Sequence, residues 1–168
     1  MTMHYGTQKV GNVEVFYRAA GPENAPVILL LHGYPTSSHM FRDLIPRLSD
    51  RFRLIAPDLP GFGQTKAPPR GKFDYTFDNF EKVVDGFTQA MGLSRYAIYV
   101  FDYGAPTGFR LAVAHPERVT AIISQNGNGY VDGLGDAWDP IKKYWNEPTP
   151  ANREALRGFI GLEGTKWQ

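Results

Sequence analysis

The stretch Tyr96-Ala97-Ile98-Tyr99-Val100-Phe101-Asp102-Tyr103-Gly104 decides the fold of this chain. Its apolar run predicts a strand over 96–100, and apolar positions at helical spacing predict a helix over 105–115. Asp102 therefore lies at a sharp turn between a strand and a helix. Such a turn lifts its central side chain above the sheet edge and directs nearby backbone N–H groups at one point, which is the geometry of a nucleophile elbow. Taken alone, the pattern also fits an aspartate that only caps a helix.

Two loops upstream favour the elbow. The first loop, Leu31-His32-Gly33-Tyr34-Pro35, follows an apolar run over 27–31 that is typical of a central strand in a parallel sheet. Gly33 permits a turn that directs a backbone N–H toward Asp102, as half of an oxyanion hole requires. The second loop, Ala56-Pro57-Asp58-Leu59-Pro60-Gly61-Phe62-Gly63, is rich in turn residues and follows another strand.

In this order and at these separations, the three motifs resemble the α/β-hydrolase superfamily. Further residues narrow the resemblance to haloalkane dehalogenases and epoxide hydrolases, whose nucleophile is an aspartate: His32-Gly33-Tyr34-Pro35-Thr36-Ser37-Ser38, Arg42, Ile45-Pro46, Leu48, Ala56-Pro57-Asp58-Leu59, Phe77-Asp78, Met91-Gly92-Leu93 and His115-Pro116-Glu117-Arg118-Val119. The resemblance covers residues 10–126 and is specific at the level of the superfamily, not of the substrate. It implies an α/β fold with a doubly wound, mostly parallel sheet.

The alternation of strands and helices predicts where the domain ends. Strands are predicted over 6–10, 13–17, 27–31, 52–56, 96–100 and 119–124, and helices over 38–48, 77–91 and 105–115. Beyond Gly127 this alternation gives way to glycine-rich loops and short helical pieces. We therefore predict a core of residues 1–127, the N-terminal part of the hydrolase fold. The resemblance implies that residues 128–168 are a fragment of the helical cap over the active site, in a chain truncated within that cap.

Composition excludes several classes of function. The 168 residues, of which 42% are hydrophobic, are enough for one core. A net charge of +1 gives no reason to expect nucleic acid or an anionic membrane as a partner, and the absence of cysteine excludes thiol chemistry. No apolar run approaches the roughly 20 residues of a membrane span. Residues 1–9 lack the apolar segment of a signal peptide, so the expected location is the cytoplasm.

The resemblance implies a reaction in two steps at Asp102. The carboxylate attacks an sp3 carbon, opens an epoxide or displaces a halide, and forms an alkyl-enzyme ester, for which it needs neither a cofactor nor a metal. Aspartate is ionised at neutral pH, so this step needs no base. Water activated by a histidine then hydrolyses the ester, and a second carboxylate orients that histidine.

The residues for the second step are not found in this chain. It contains four histidines, all before Gly127 and none at the family's base position: His4, His32, His39 and His115. Asn126 lies where some dehalogenases carry the second carboxylate, and an amide does not stabilise an imidazolium by charge. We therefore predict one alkylation of Asp102 without multiple turnover.

Tyrosines occupy the positions expected to bind the leaving group of a small apolar substrate. Dehalogenases hold the halide with a Trp after the nucleophile and commonly an Asn or a second Trp, and the matching residues are Tyr103 and Tyr34. With His32 and Gly33, they form the predicted oxyanion or leaving-group site. A phenol suits epoxide opening better than halide release, because it can protonate an alkoxide.

Three alternatives stay open at this stage. Tyr130 and Tyr144 of the predicted cap are weaker candidates for the substrate pocket, since both also fit a packing role. The chain is alternatively a carboxylic ester hydrolase, or a non-catalytic chain that only binds small apolar ligands.

The strand over 119–124 is predicted at a sheet edge, where unpaired backbone groups favour self-association.

Overall fold

A six-stranded sheet organises the first part of the chain. The computed structural model describes residues 2–167. The strands are β1 (His4–Val10), β2 (Val13–Ala20), β3 (Val27–Leu31), β4 (Arg53–Pro57), β5 (Tyr96–Phe101) and β6 (Val119–Gln125), in the spatial order β1-β2-β4-β3-β5-β6. The pairs β1–β2 and β2–β4 are antiparallel, whereas β4, β3, β5 and β6 are parallel. The predicted mostly parallel sheet is thus confirmed.

Helices cover both faces of this sheet, and its central strand shows why. The helices are α1 (Leu44–Leu48), α2 (Phe77–Ala90) and α3 (Gly104–Ala114). In β3, Leu29 and Leu31 pack in the apolar cluster that contains the buried residues of α2 and α3. Ile28 and Leu30 pack in a second cluster with α1. Because successive side chains of a strand point to opposite faces, one continuous apolar run supplies both cores.

The single helix predicted over 38–48 is wrong. The segment forms a 3₁₀ turn, Ser38–Phe41, and then the separate helix α1. Pro46 has no backbone N–H and cannot donate to the carbonyl four residues earlier, so it is tolerated only in the first turn of a helix. The helix accordingly begins anew two residues before Pro46. Ser37 caps the preceding turn by accepting a hydrogen bond from the His39 N–H at 3.3 Å.

Strand β6 lies at an edge of the sheet, as predicted. It pairs with β5 on one side through the register Ala97↔Ala121 to Phe101↔Gln125. Two of its large apolar side chains, Ile122 and Ile123, are 49% and 46% exposed. A half-exposed apolar edge is the feature on which the expectation of self-association depends.

The chain forms two compact units, Met1–Gly127 and Asn128–Gln168. The second unit contains two 3₁₀ turns and the short helices α4 (Asp139–Asn146), α5 (Pro150–Ala155), α6 (Arg157–Ile160) and α7 (Leu162–Trp167). Within it, the rings of Trp138 and Trp145 pack with centroids 6.0 Å apart. Over residues 2–167, no helix is long and apolar enough to cross a membrane.

Candidate active site

Asp102 occupies a strained turn between β5 and α3. Its φ of 48° lies in the left-handed region, which a non-glycine residue seldom adopts. The turn is tight because α3 packs closely on the sheet. A Cβ on Gly104 would overlap the Leu31 carbonyl oxygen, and one on Gly108 would lie 2.5 Å from Val100 Cγ1. The chain therefore reverses sharply at Asp102 and presents its half-buried carboxylate at the end of a central strand.

Two backbone N–H groups converge on one oxygen of this carboxylate. The N–H of Tyr34 donates to Asp102 Oδ1 at 2.7 Å, and the N–H of Tyr103 donates to the same atom at 2.6 Å. Both N–H groups therefore point at the Asp102 carboxylate. That they line a substrate cavity stays a prediction. No described residue donates a hydrogen bond to Oδ2, which leaves this oxygen for another partner.

Gly33 is needed because the Tyr34 loop approaches Asp102 so closely. A Cβ on Gly33 would overlap the Asp102 side chain and lie 2.7 Å from its Cγ. Any larger residue at this position would separate the loop from the elbow. The peptide bond between Tyr34 and Pro35 is cis, and the N–H of Thr36 donates to the Gly33 carbonyl at 3.1 Å.

The ring of His32 holds the loop and does not bond to Asp102. His32 is fully buried, and its Nδ1 lies 3.0 Å from the Gly33 carbonyl while its Nε2 accepts from the Leu59 N–H at 2.9 Å. These partners assign the proton to Nδ1. Burial lowers the pKa of His32, which favours the neutral ring that both bonds require. The structure thus gives His32 an indirect place in the predicted oxyanion site, as a support for Gly33 and Tyr34.

Asp58 anchors the second loop, a role that the sequence analysis missed. Its buried carboxylate accepts from the Ser38 N–H at 2.7 Å and from the Gln64 N–H at 2.8 Å. The Thr65 hydroxyl donates to the Asp58 carbonyl at 2.7 Å. These bonds fix the loop that carries Phe62. An aspartate between Pro57 and Leu59 in a turn-rich loop was the available signal, but its partners are distant in sequence.

An aromatic wall stands beside the carboxylate. The ring of Tyr103 contacts Phe77 and Phe62 edge to face, with centroids 5.1 and 6.1 Å apart, and lies 6.1 Å from the ring of Tyr34. The sequence does not mark Phe62 or Phe77 as site residues, because only packing brings them to the elbow. Burial raises the pKa of the Tyr103 phenol, and the Asp102 carboxylate and Tyr34 raise it further. Tyr103 therefore keeps its proton at neutral pH.

None of the four histidines makes a hydrogen bond to Asp102. His4 and His39 are exposed, and both ring nitrogens of His32 are engaged. His115 follows α3 at the end opposite the elbow, about 16 Å away along an 11-residue helix. There its Nε2 lies 3.4 Å from a carboxylate oxygen of Asp85.

Three further predicted candidates lie outside the two loops and the elbow described above. Asn126 follows β6 with a φ of 50°. Tyr130 and Tyr144 belong to the second unit, where Tyr130 is exposed and Tyr144 is a half-buried residue of α4. Their role in a substrate pocket stays a prediction. Among the described residues, no group of three or more His, Cys, Asp or Glu side chains could hold a metal ion.

Comparisons with known proteins agree with this fold. The model of the alpha/beta hydrolase fold family matches residues 26–156. An uncharacterised hydrolase of Saccharomyces cerevisiae is 52% identical over 134 residues, which are 79% of this chain and 46% of the yeast protein. Haloalkane dehalogenase 2 of Mycobacterium tuberculosis is 36% identical over 80% of this chain and 40% of its own length. The crystal structure of a haloalkane dehalogenase from Bradyrhizobium elkani superposes with a TM-score of 0.79 at 26% identity, covering 93% of this chain and 54% of that one.

The chain spans about half the length of the curated relatives that it matches. The segment matched by the family model, residues 26–156, includes the strand and helix on either side of Asp102 and the loop of Gly33 and Tyr34. On the extent of the family match and on its sheet, the chain belongs to the α/β-hydrolase fold family.

Proposed function

We propose that Asp102 is the nucleophile of a hydrolase that acts at an sp3 carbon of a small apolar substrate, an epoxide or a haloalkane. One observation carries the proposal. Two N–H groups hold Asp102 Oδ1 at 2.7 and 2.6 Å, which fixes the carboxylate plane and leaves Oδ2 for the attack. The aromatic wall of Phe62, Phe77 and Tyr103 offers an apolar surface for the substrate.

The first step transfers charge from the protein to the leaving group. Oδ2 forms a bond to the substrate carbon, the bond from that carbon to oxygen or halogen breaks, and Asp102 becomes a neutral ester. Orientation is the main contribution of the elbow, because the reacting atoms must be aligned at about 3 to 3.5 Å. A carboxylate is a poor nucleophile toward acyl groups at neutral pH, which makes carboxylic ester hydrolysis the weaker alternative.

The same two N–H groups serve the second step differently. When water attacks Cγ of the ester, negative charge develops on Oδ1, where the N–H groups of Tyr34 and Tyr103 already point. The attacking water needs a base, and the histidines of this chain are exposed, remote or bonded elsewhere. We therefore expect the isolated chain to stop at the alkyl-enzyme.

Intact-mass analysis tests the proposal. The protein is incubated with a terminal epoxide and, separately, with a primary alkyl bromide, and the modified residue is located by peptide mapping. We expect one addition per chain at Asp102 and none in Asp102→Asn, because an amide is not a nucleophile here. Addition at other residues that persists in the variant would overturn the proposal. Reversible binding without addition would instead favour a non-catalytic chain that binds apolar ligands.

A further inference from the structure

We propose that the Tyr103 phenol donates its proton to the leaving atom of the substrate, so that the site is built to open epoxides. This inference rests on the proposed function of Asp102 and deepens it by naming the leaving group. It assigns to Tyr103 a second role beside that of its backbone N–H, which donates to Oδ1.

The geometry places the phenol beside the reacting carboxylate. Tyr103 follows the nucleophile directly, and its ring is held edge to face between Phe77 at 5.1 Å and Phe62 at 6.1 Å. Among the described residues, none accepts a hydrogen bond from the Tyr103 hydroxyl. Tyr103 is half-buried rather than enclosed.

Epoxide opening balances with these two side chains. The bond between Asp102 Oδ2 and the substrate carbon forms, the carbon–oxygen bond of the ring breaks, and the alkoxide takes the proton of the Tyr103 hydroxyl. The products are a hydroxyalkyl ester on Asp102 and a phenolate on Tyr103, which water then reprotonates. One negative charge has moved from the aspartate to the tyrosine, and no other reactant is needed.

Electrostatics favour transfer of the Tyr103 proton once Asp102 has formed the ester. Before the reaction, burial and the Asp102 carboxylate raise the pKa of Tyr103 and retain its proton. Once Asp102 is an ester, its charge no longer opposes the phenolate. An alkoxide is also much more basic than a phenolate, so the proton moves toward the substrate oxygen.

A halide leaving group needs different interactions from an alkoxide. It leaves as a stable anion and needs hydrogen-bond donors, but no proton. Residues 1–127 contain no tryptophan, so the core supplies no indole N–H for this purpose. The polar group on the aromatic wall at the elbow is instead a phenol, which both donates and transfers a proton.

The test compares two substrates on one nucleophile. Rates of covalent addition to Asp102 are measured by intact mass for a terminal epoxide and a primary alkyl bromide of equal chain length. The proteins are the original chain, Tyr103→Phe and the control Tyr75→Phe, which removes an exposed phenol whose hydroxyl donates to the Pro68 carbonyl. We expect Tyr103→Phe to slow epoxide addition about 100-fold or more, as for loss of a general acid. The bromide rate should fall by about tenfold or less, because the bromide loses at most a hydrogen bond and no proton donor. The control should match the original chain for both substrates.

Each outcome has a distinct meaning. Equal loss of both rates in Tyr103→Phe would show that the residue only positions the elbow, and no loss would show that its proton is not used; either result overturns the inference while the role of Asp102 stands. A bromide rate that falls by no more than about tenfold shows that the variant is folded and its nucleophile intact. No addition to the original chain with either substrate would overturn the proposed function itself.

Discussion

Replacing Gly33 by alanine tests the close approach on which the site depends. The new Cβ would overlap the Asp102 side chain and lie 2.7 Å from its Cγ, whereas ordinary contacts begin at 3.4 Å. Asp102 has little freedom to withdraw, since Gly104 behind it is packed against the Leu31 carbonyl. The loop must therefore move, and the hydrogen bond from the Tyr34 N–H to Oδ1 lengthens.

Two magnitudes follow from this displacement. Adding a methyl group to a packed site costs about 1–3 kcal/mol of unfolding free energy. A misplacement of about 1 Å in a reacting group lowers a rate about 100-fold, so alkylation of Asp102 should fall by that order. The two effects have one cause and should appear together in Gly33→Ala.

Denaturant unfolding and intact-mass kinetics measure the two effects on the same preparation. Gly135→Ala is the control, because a Cβ at Gly135 meets no atom within 4 Å. We expect the control to stay within about 0.5 kcal/mol of the original chain and to be alkylated at the same rate. If Gly33→Ala is as stable and as reactive as the original chain, the close approach of the loop does not hold the nucleophile in place.

Three further predictions follow. The original chain should lose stability as the pH drops below about 6.5, because the unfolded chain takes up a proton there that buried His32, with its lowered pKa, does not. This loss should be smaller in His32→Gln, and unfolding free energies at several pH values check it. Ile123→Lys should reduce self-association, because a charge on the exposed edge strand opposes pairing of β6 with a second copy; light scattering at tens of micromolar measures it, and an original chain that is already monomeric would contradict the expectation. The isolated chain should show no steady-state turnover on epoxides, haloalkanes or simple esters. Sustained turnover that Asp102→Ala abolishes would contradict this, because some residue of the chain would then have to act as the base.

The sequence was informative where local geometry is encoded in neighbouring residues. The elbow at Asp102 and the turn at Gly33 are short local motifs, so the residues next to them in the sequence are enough to predict them. The continuous apolar run of β3 predicts a strand covered on both faces. By contrast, helical spacing over 38–48 concealed the break at Pro46, because the apolar positions continue across it.

The supporting contacts could not be predicted, because they join residues far apart in the chain. His32 is held by the N–H of Leu59, which is 27 residues away. Phe62 and Phe77 reach the ring of Tyr103 from a loop and from the start of α2. Periodicity identifies buried residues, but it does not say which of them meet. Packing therefore brings the aromatic wall next to the Asp102 carboxylate, and the local sequence does not predict this contact.

The structure also argues against the interpretation of Asp102 as a helix cap, which the sequence left open. A capping aspartate has extended backbone angles and accepts from N–H groups two or three residues further along the helix. Here the N-cap of α3 is Tyr103, which makes no side-chain capping bond, and Asp102 has a φ of 48°. Its carboxylate accepts hydrogen bonds instead from the N–H of the next residue and from the N–H of Tyr34, which is 68 residues away. A left-handed conformation costs about 1–2 kcal/mol, and beginning the helix does not require it. The strain is explained by the placement of the carboxylate under two converging N–H groups.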